Sequence, residues 1–243
     1  MLLELKDVTK RFGGLIAVKN LSFTVNKNEI LGLIGPNGSG KTTTLNLICG
    51  SYRPDSGTIK FKGEDITGLR PHVICRKGIA RTFQLVRVFA TMTVFQNVMV
   101  GIKFGANVRT RNKREDELTA LKILEMCKLK EKKDVLAGSL TFAEQRRLEI
   151  ARALATKPEL LLLDEVAAGL NPAEAIEMSE FVKQLRDSGL TLIMVEHIMK
   201  IIMDASDRIV VLDYGEKIAE GFPIEISTNK DVIKVYLGET SNA

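Results

Sequence analysis

Residues 35 to 42 read Gly-Pro-Asn-Gly-Ser-Gly-Lys-Thr, directly after the apolar run of residues 30 to 34. Those types at that spacing suit the phosphates of a nucleoside triphosphate. Gly35, Gly38 and Gly40 let the backbone turn tightly and bring N–H groups close to anionic oxygens, with Pro36, Asn37 and Ser39 completing the loop. Lys41 adds a point charge, Thr42 offers a hydroxyl to magnesium, and the amides from Gly38 to Thr43 complete a phosphate cradle. A second constellation lies downstream, where four leucines from Leu160 end in Asp164 and Glu165. A buried strand ending this way sets one carboxylate beside magnesium. The other is free to orient and deprotonate water, a role typically worth ~10²–10⁴ in rate.

Such groups need a rigid frame. A strand before the glycine loop and a helix from Lys41 toward Cys49 would aim the positive helix end at the phosphates. The runs 160 to 163, 190 to 195 and 208 to 212 are nearly continuous apolar segments separated by helix-length stretches, as expected of parallel strands buried on both faces. Alternation in residues 3 to 8 and 21 to 25, with Gly13-Gly14 turning the chain, and again in 58 to 62, predicts half-buried antiparallel strands. From residue 86 to 138 the strand signal stops, and Leu118, Leu121, Leu124 and Cys127 recur at helical spacing between Glu115 and Leu129. The expected fold is therefore α/β: a P-loop NTPase core with a mostly parallel sheet, an antiparallel β subdomain in the N-terminal part, and a helical subdomain inserted at about 86–138. All of it forms a single domain over 1–243.

Composition narrows the class. The 243 residues are 45% apolar, and no aliphatic run is long enough to span a bilayer. Glu4 follows the initial Met-Leu-Leu too early for a secretion signal, so a cytoplasmic chain is expected. Cys49, Cys75 and Cys127 are few and far apart, which suggests buried apolar residues rather than disulfides or a metal knuckle. The net charge of +5 combines 35 basic with 30 acidic residues, a mixed solvated surface. The basic stretch 109 to 114 runs straight into Glu115-Asp116-Glu117 and reads as the polar entry to a helix; a nucleic-acid partner is not expected.

Three further phrases accompany the two constellations: Gln84 in Arg81-Thr-Phe-Gln84, residues 140 to 145 ahead of a basic helix, and His197 in Val195-Glu-His197. With them the chain resembles an ABC-type ATPase subunit over essentially its whole length. Residues 10 to 14, 81 to 84, 168 to 172 and the tail 235 to 239 resemble the ATP-binding subunits of branched-chain amino-acid uptake systems. The resemblance implies ATP and Mg²⁺ as cofactors, adenine stacked on Phe12, Gln84 near magnesium and the attacking water, Glu165 as base, and His197 at the γ-phosphate. Against the functional reading, Phe12 could be an ordinary core aromatic and Gln84 alone carries no meaning; a lone histidine at a strand end is more often structural, but His197 after a parallel strand of a P-loop sheet favours function. His72, outside every motif, is expected at the surface.

The resemblance further implies a head-to-tail pair with a second ATPase subunit, the same or a paralogue, in which Leu140, Thr141, Phe142, Ala143 and Glu144 complete the partner's nucleotide site. The pair would dock on transmembrane permease subunits at the inner face of the cell membrane, served indirectly by a substrate-binding protein. In the family these five positions usually read Leu-Ser-Gly-Gly-Gln, so only the leucine is identical. A Cβ at Ala143 stands where the family's glycine brings its backbone to the partner's γ-phosphate. Against that, Thr141 and Glu144 form a capping box and alanine favours helix, so the helix should start well. Val166, where many relatives carry proline, is the milder change. Three other readings stay open: another ABC system such as lipopolysaccharide export, a soluble ABC ATPase outside transport, and a regulator that binds nucleotide without useful turnover.

Overall fold

The alternating N-terminal segments fold into two long strands, β1 (Leu3–Phe12) and β2 (Leu15–Val25), joined through Gly13-Gly14. The computed structural model describes residues 1–105 and 112–237. With β4 (Ser56–Phe61) and β5 (Glu64–Asp65) they form an antiparallel sheet of order β2-β1-β4-β5. A second sheet holds β3 (Ile30–Ile34), β6 (Ile79–Arg81), β7 (Leu160–Asp164), β8 (Thr191–Val195), β9 (Arg208–Asp213) and β10 (Glu216–Gly221). Its order is β10-β9-β3-β8-β7-β6, parallel apart from the β9–β10 hairpin. Every residue of β3, β7 and β8 is buried, which explains their unbroken apolar runs.

Register fixes the site. Leu33 and Asp164 both pair with Val195, so the glycine loop after β3, the carboxylates ending β7 and the segment after β8 emerge at one sheet edge. Two apolar cores are packed around this scaffold. One lies toward the antiparallel sheet and α1 (Lys41–Ile48); the other lies toward the helices of the opposite side.

Four helices fill the region after β5: α2 (Pro71–Lys77), α3 (Val94–Phe104), α4 (Lys113–Met126) and α5 (Phe142–Leu154). Capping boxes start α3 at Thr93 and α5 at Thr141. Close contact of α3 with α5 requires Gly101, where a Cβ would fall 2.3 Å from the Arg152 carbonyl oxygen. After β7 come α6 (Pro172–Asp187), α7 (Met199–Ala205), α8 (Pro223–Thr228) and α9 (Lys230–Leu237). None of the described helices is long and apolar enough to cross a membrane.

Some expectations shift. The inward face of α4 is Ala120, Ile123 and Leu124, carried on by its cap Cys127 in an i, i+3, i+4, i+7 stripe set by packing against α3 and α5, while Leu121 is half-buried and Leu118 exposed; the helix itself starts two residues before the expected Glu115. Of the basic stretch, Lys113 and Arg114 open α4 behind the cap Asn112, and residues 109 to 111 lie outside the described residues. Only Cys127 is buried; Cys49 and Cys75 are half-exposed and line a groove. His72 is exposed on α2. Strands β6 and β10 escape the sequence reading, one because it is three residues long, the other because it is a polar edge strand without alternation.

Candidate nucleotide site

The loop between β3 and α1 is held by backbone that only glycine can supply. Gly35, Gly38 and Gly40 have φ of 150°, 82° and 101°. A Cβ at Gly35 would lie 2.1 Å from the Leu212 carbonyl oxygen, and one at Gly40 2.4 Å from that of Ala17, whereas Gly38 faces open space. Lys41 Nζ folds back to donate to the carbonyls of Gly35 and Pro36, both at 2.8 Å. Burial pulls its pKa down, opposed by the charges of Glu165 and Asp164. Ser39 Oγ, in the same loop, is buried without a partner.

A cavity of about 420 Å³ opens over this loop. Of the residues expected there, Phe12, Asn37, Gly38, Gly40, Lys41, Thr42, Thr43, Gln84, Glu165 and His197 line it together. Phe12 is 42% exposed, which removes the core-aromatic reading; its ring stands edge-on to Tyr52 with centroids 5.1 Å apart. Ile16 and Tyr214 line the same wall, and no sequence signal distinguishes them from ordinary loop residues.

At the end of β7 the two carboxylates have different surroundings. Asp164 is buried, with Oδ2 accepting from an Arg81 guanidinium nitrogen at 2.8 Å and Oδ1 left without a partner. Glu165 turns into the cavity on a left-handed backbone, φ 53°, pinned by its N–H donating to the Val195 carbonyl at 2.9 Å. Its carboxylate bridges two loops: Oε2 accepts from Gln84 Nε2 at 3.0 Å, and Oε1 lies 2.7 Å from His197 Nε2. A carboxylate so placed can take a proton from water while an amide and an imidazole hold its flanks. Behind it, the buried Glu196 accepts the Ala167 N–H at 2.8 Å. Burial, reinforced by the Glu165 charge, pushes its carboxyl up to about 7.

Residues 140 to 144 are not brought to this cavity. Leu140 is buried; Thr141 caps α5, its hydroxyl accepting from the Glu144 N–H at 3.3 Å while Glu144 Oε2 accepts the Thr141 N–H at 3.0 Å. Phe142 is exposed, and Thr141, Ala143 and Glu144 line a separate cavity of about 290 Å³ with Arg147 and Leu170. The body of α5 does reach the nucleotide side. Arg146 donates to the carbonyls of Phe83 and Gln84 at 3.0 and 2.8 Å, Glu149 Oε1 accepts the Phe83 N–H at 3.1 Å, and Arg152 donates to the Arg87 carbonyl. Arg81, Arg146 and Glu196 thus support the site although sequence reasoning gave them no role, Arg81 and Glu196 lying inside motifs it quoted and Arg146 directly after one.

The family description "ABC transporter" matches residues 18–168. This chain belongs to that family. The high-affinity branched-chain amino acid transport ATP-binding protein BraF of Pseudomonas aeruginosa is 43% identical over 98% of both chains, and LivG of Salmonella typhimurium 44% over the same shares. The lipopolysaccharide export system ATP-binding protein LptB of Escherichia coli is 36% identical over 98% of this chain and 97% of its own. Among solved structures, an ATP-binding cassette of an ABC transporter in its ADP conformation superposes with a TM-score of 0.89 at 33% identity, covering 98% of this chain and 99% of that one. A dimeric cassette bound to ADP and Pi gives 0.81 at 26% identity, over 91% and 99%. The α/β cassette with its P-loop is the expected fold, and the family's cassettes are ATPases that power transport.

Proposed function

We propose that this chain binds and hydrolyses ATP to power a membrane transporter for branched-chain amino acids. The observation that carries the hydrolytic part is the Glu165 carboxylate, held between Gln84 and His197 at the mouth of the glycine loop. In this reading the loop amides from Gly38 to Thr43 and Lys41 hold the phosphates, and Phe12 stacks on adenine. Glu165 takes the water's proton while Gln84 and His197 fix its orientation and contact the γ-phosphate. Hydrogen bonds from both neighbours orient the carboxylate toward the cavity.

Magnesium fits the residues present. Asp164 Oδ1 is a buried oxygen with no partner, Thr42 lines the cavity from the first turn of α1, and Gln84 closes it, a set of hard oxygen donors. Bound there, the ion would neutralise phosphate charge and polarise the bond to the γ-phosphoryl group.

The amino-acid substrate rests on the names of the relatives at 43 to 44% identity, against 36% for the lipopolysaccharide export protein. For partners we assign a second ATPase subunit, same or paralogous, facing residues 140 to 144. Permease subunits and, through them, a substrate-binding protein complete the assembly. A groove of about 320 Å³ lined by Phe83, Phe89, Val100 and Phe104 beside the Gln84 loop suits the permease, which would hold the chain at the inner membrane face. Residues 1–243 act as a single ATPase domain in this reading, with 86–138 as its helical subdomain. Purifying the chain with the membrane proteins that accompany it, and following ATP turnover as leucine, isoleucine and valine are supplied, tests the whole. Stimulated turnover supports it; nucleotide binding without turnover would leave the regulator reading.

A further inference from the structure

A buried carboxylate with one oxygen paired and the other bare is costly unless the bare oxygen has a ligand to meet. Asp164 is in that condition, and the pairing is specific. Arg81 and Asp164 side chains are 8% and 1% exposed, joined at 2.8 Å. The second guanidinium arm reaches Asn46 Oδ1 at 2.5 Å, on α1. Asn46 lies four residues after Thr42, so both stand on one face of α1. A single planar guanidinium therefore ties the end of β7 to the helix face that carries the proposed hydroxyl ligand. Lysine could not do this, because two donors at a fixed fork angle are needed to hold two acceptors on different elements.

We propose that Arg81 is the positioning residue of the metal site: it fixes the carboxylate plane of Asp164 against the Thr42 face of α1, so that Oδ1 points where magnesium binds. This rests on the proposed role of Asp164. Arg81 does not line the cavity over the glycine loop; it acts through Asp164. Its guanidinium carbon also lies 5.6 Å from the centre of the Phe83 ring, just ahead of Gln84, a third contact on the fork.

The test titrates MnCl₂ into the full chain at saturating ADP and reads free Mn²⁺ by electron paramagnetic resonance, with ADP affinity in EDTA measured alongside. Partners that orient a metal ligand typically set affinity by roughly 10–100-fold, and Arg81→Gln should weaken Mn²⁺ by that factor with metal-free ADP affinity unchanged. Arg81→Lys, keeping the charge and losing the fork, should recover only part of the loss. Parental Mn²⁺ affinity in Arg81→Gln overturns the inference, as does an equal loss of metal-free ADP binding. Should Arg81→Gln fail to fold, Asn46→Ala removes one arm without stranding the Asp164 charge; it must then weaken Mn²⁺ binding, and parental affinity overturns the inference. Asp164→Asn separates the two layers. If it binds Mn²⁺ as the parent does, the metal-ligand reading falls and takes Arg81 with it; if it weakens binding while the Arg81 and Asn46 variants do not, the Arg81 inference alone falls.

Discussion

The cavity over the glycine loop and the start of α5 are built on opposite plans. Around the cavity, side chains from four separate stretches converge: Lys41, Gln84, Glu165 and His197 share one space. At the start of α5 the polar groups turn onto their own backbone, Thr141 and Glu144 satisfying each other as caps, with Phe142 left facing outward. One region is a site within a single chain. The other is a capped helix end that, in the proposed reading, faces a second subunit, and changes in the two regions should then be felt in different preparations.

The largest effect expected is in Glu165→Gln, which keeps the shape and loses the base. Turnover should fall by ~10²–10⁴, with nucleotide affinity kept and an ATP-bound dimer accumulating when the second subunit is present. A wild-type rate would move the base to another residue, with His197 next to be replaced. Lys41→Ala comes second. Loss of a charge-assisted contact of about 1.5–3 kcal/mol should weaken ATP binding in the isolated chain and abolish hydrolysis, and isothermal titration with unchanged affinity would remove the loop assignment.

Glu196 probes the wall behind the cavity. Burial pushes its carboxyl up to about 7 from an ordinary 4.5, so the folded state holds a proton that the unfolded state releases between those values. Stability must then decline as pH rises through that window. On the order of 1–3 kcal/mol is at stake, and Glu196→Gln should flatten the slope of melting temperature against pH between about 5 and about 8. Parallel slopes for the two proteins would mean that Glu196 ionises in the folded chain as it does in the unfolded one.

The smallest effect, and the one that most sharpens the contrast, is Ala143→Gly. Removing the methyl group costs the helix about 1 kcal/mol and should raise ATP-driven pairing and turnover only in the assembled pair, leaving ATP affinity of the isolated chain where it was. Flat or reduced turnover would show that the surrounding backbone already accommodates alanine.

What could be read from the chain follows the same division. The glycine loop and the carboxylates ending β7 are legible as structure because contiguous residues of fixed type build them. Buried strands such as β8 are legible because every position is apolar. Arg81, Arg146 and Glu196 are not legible as site residues, because their roles arise from contacts 35 to 83 positions away for Arg81, 62 and 63 for Arg146, and 29 for Glu196. Leu118 misleads for a different reason: leucines at helical spacing give the period of a helix but not its rotation, which packing against α3 and α5 decides.

Helix α5 spans thirteen residues, about 20 Å, and a hydrogen-bonded rod of that length does not compress. Its tip is the capped Thr141, and barely more than one turn farther along, Arg146 and then Glu149 grip the backbone that carries Gln84. A push at the tip is therefore delivered to Gln84 as a displacement rather than absorbed along the way. In the proposed reading, whatever engages the outer end of this rod would set the stance of the Gln84 amide in this chain's own cavity, so that the contact made at Thr141 and the cavity lined by Gln84 would move together.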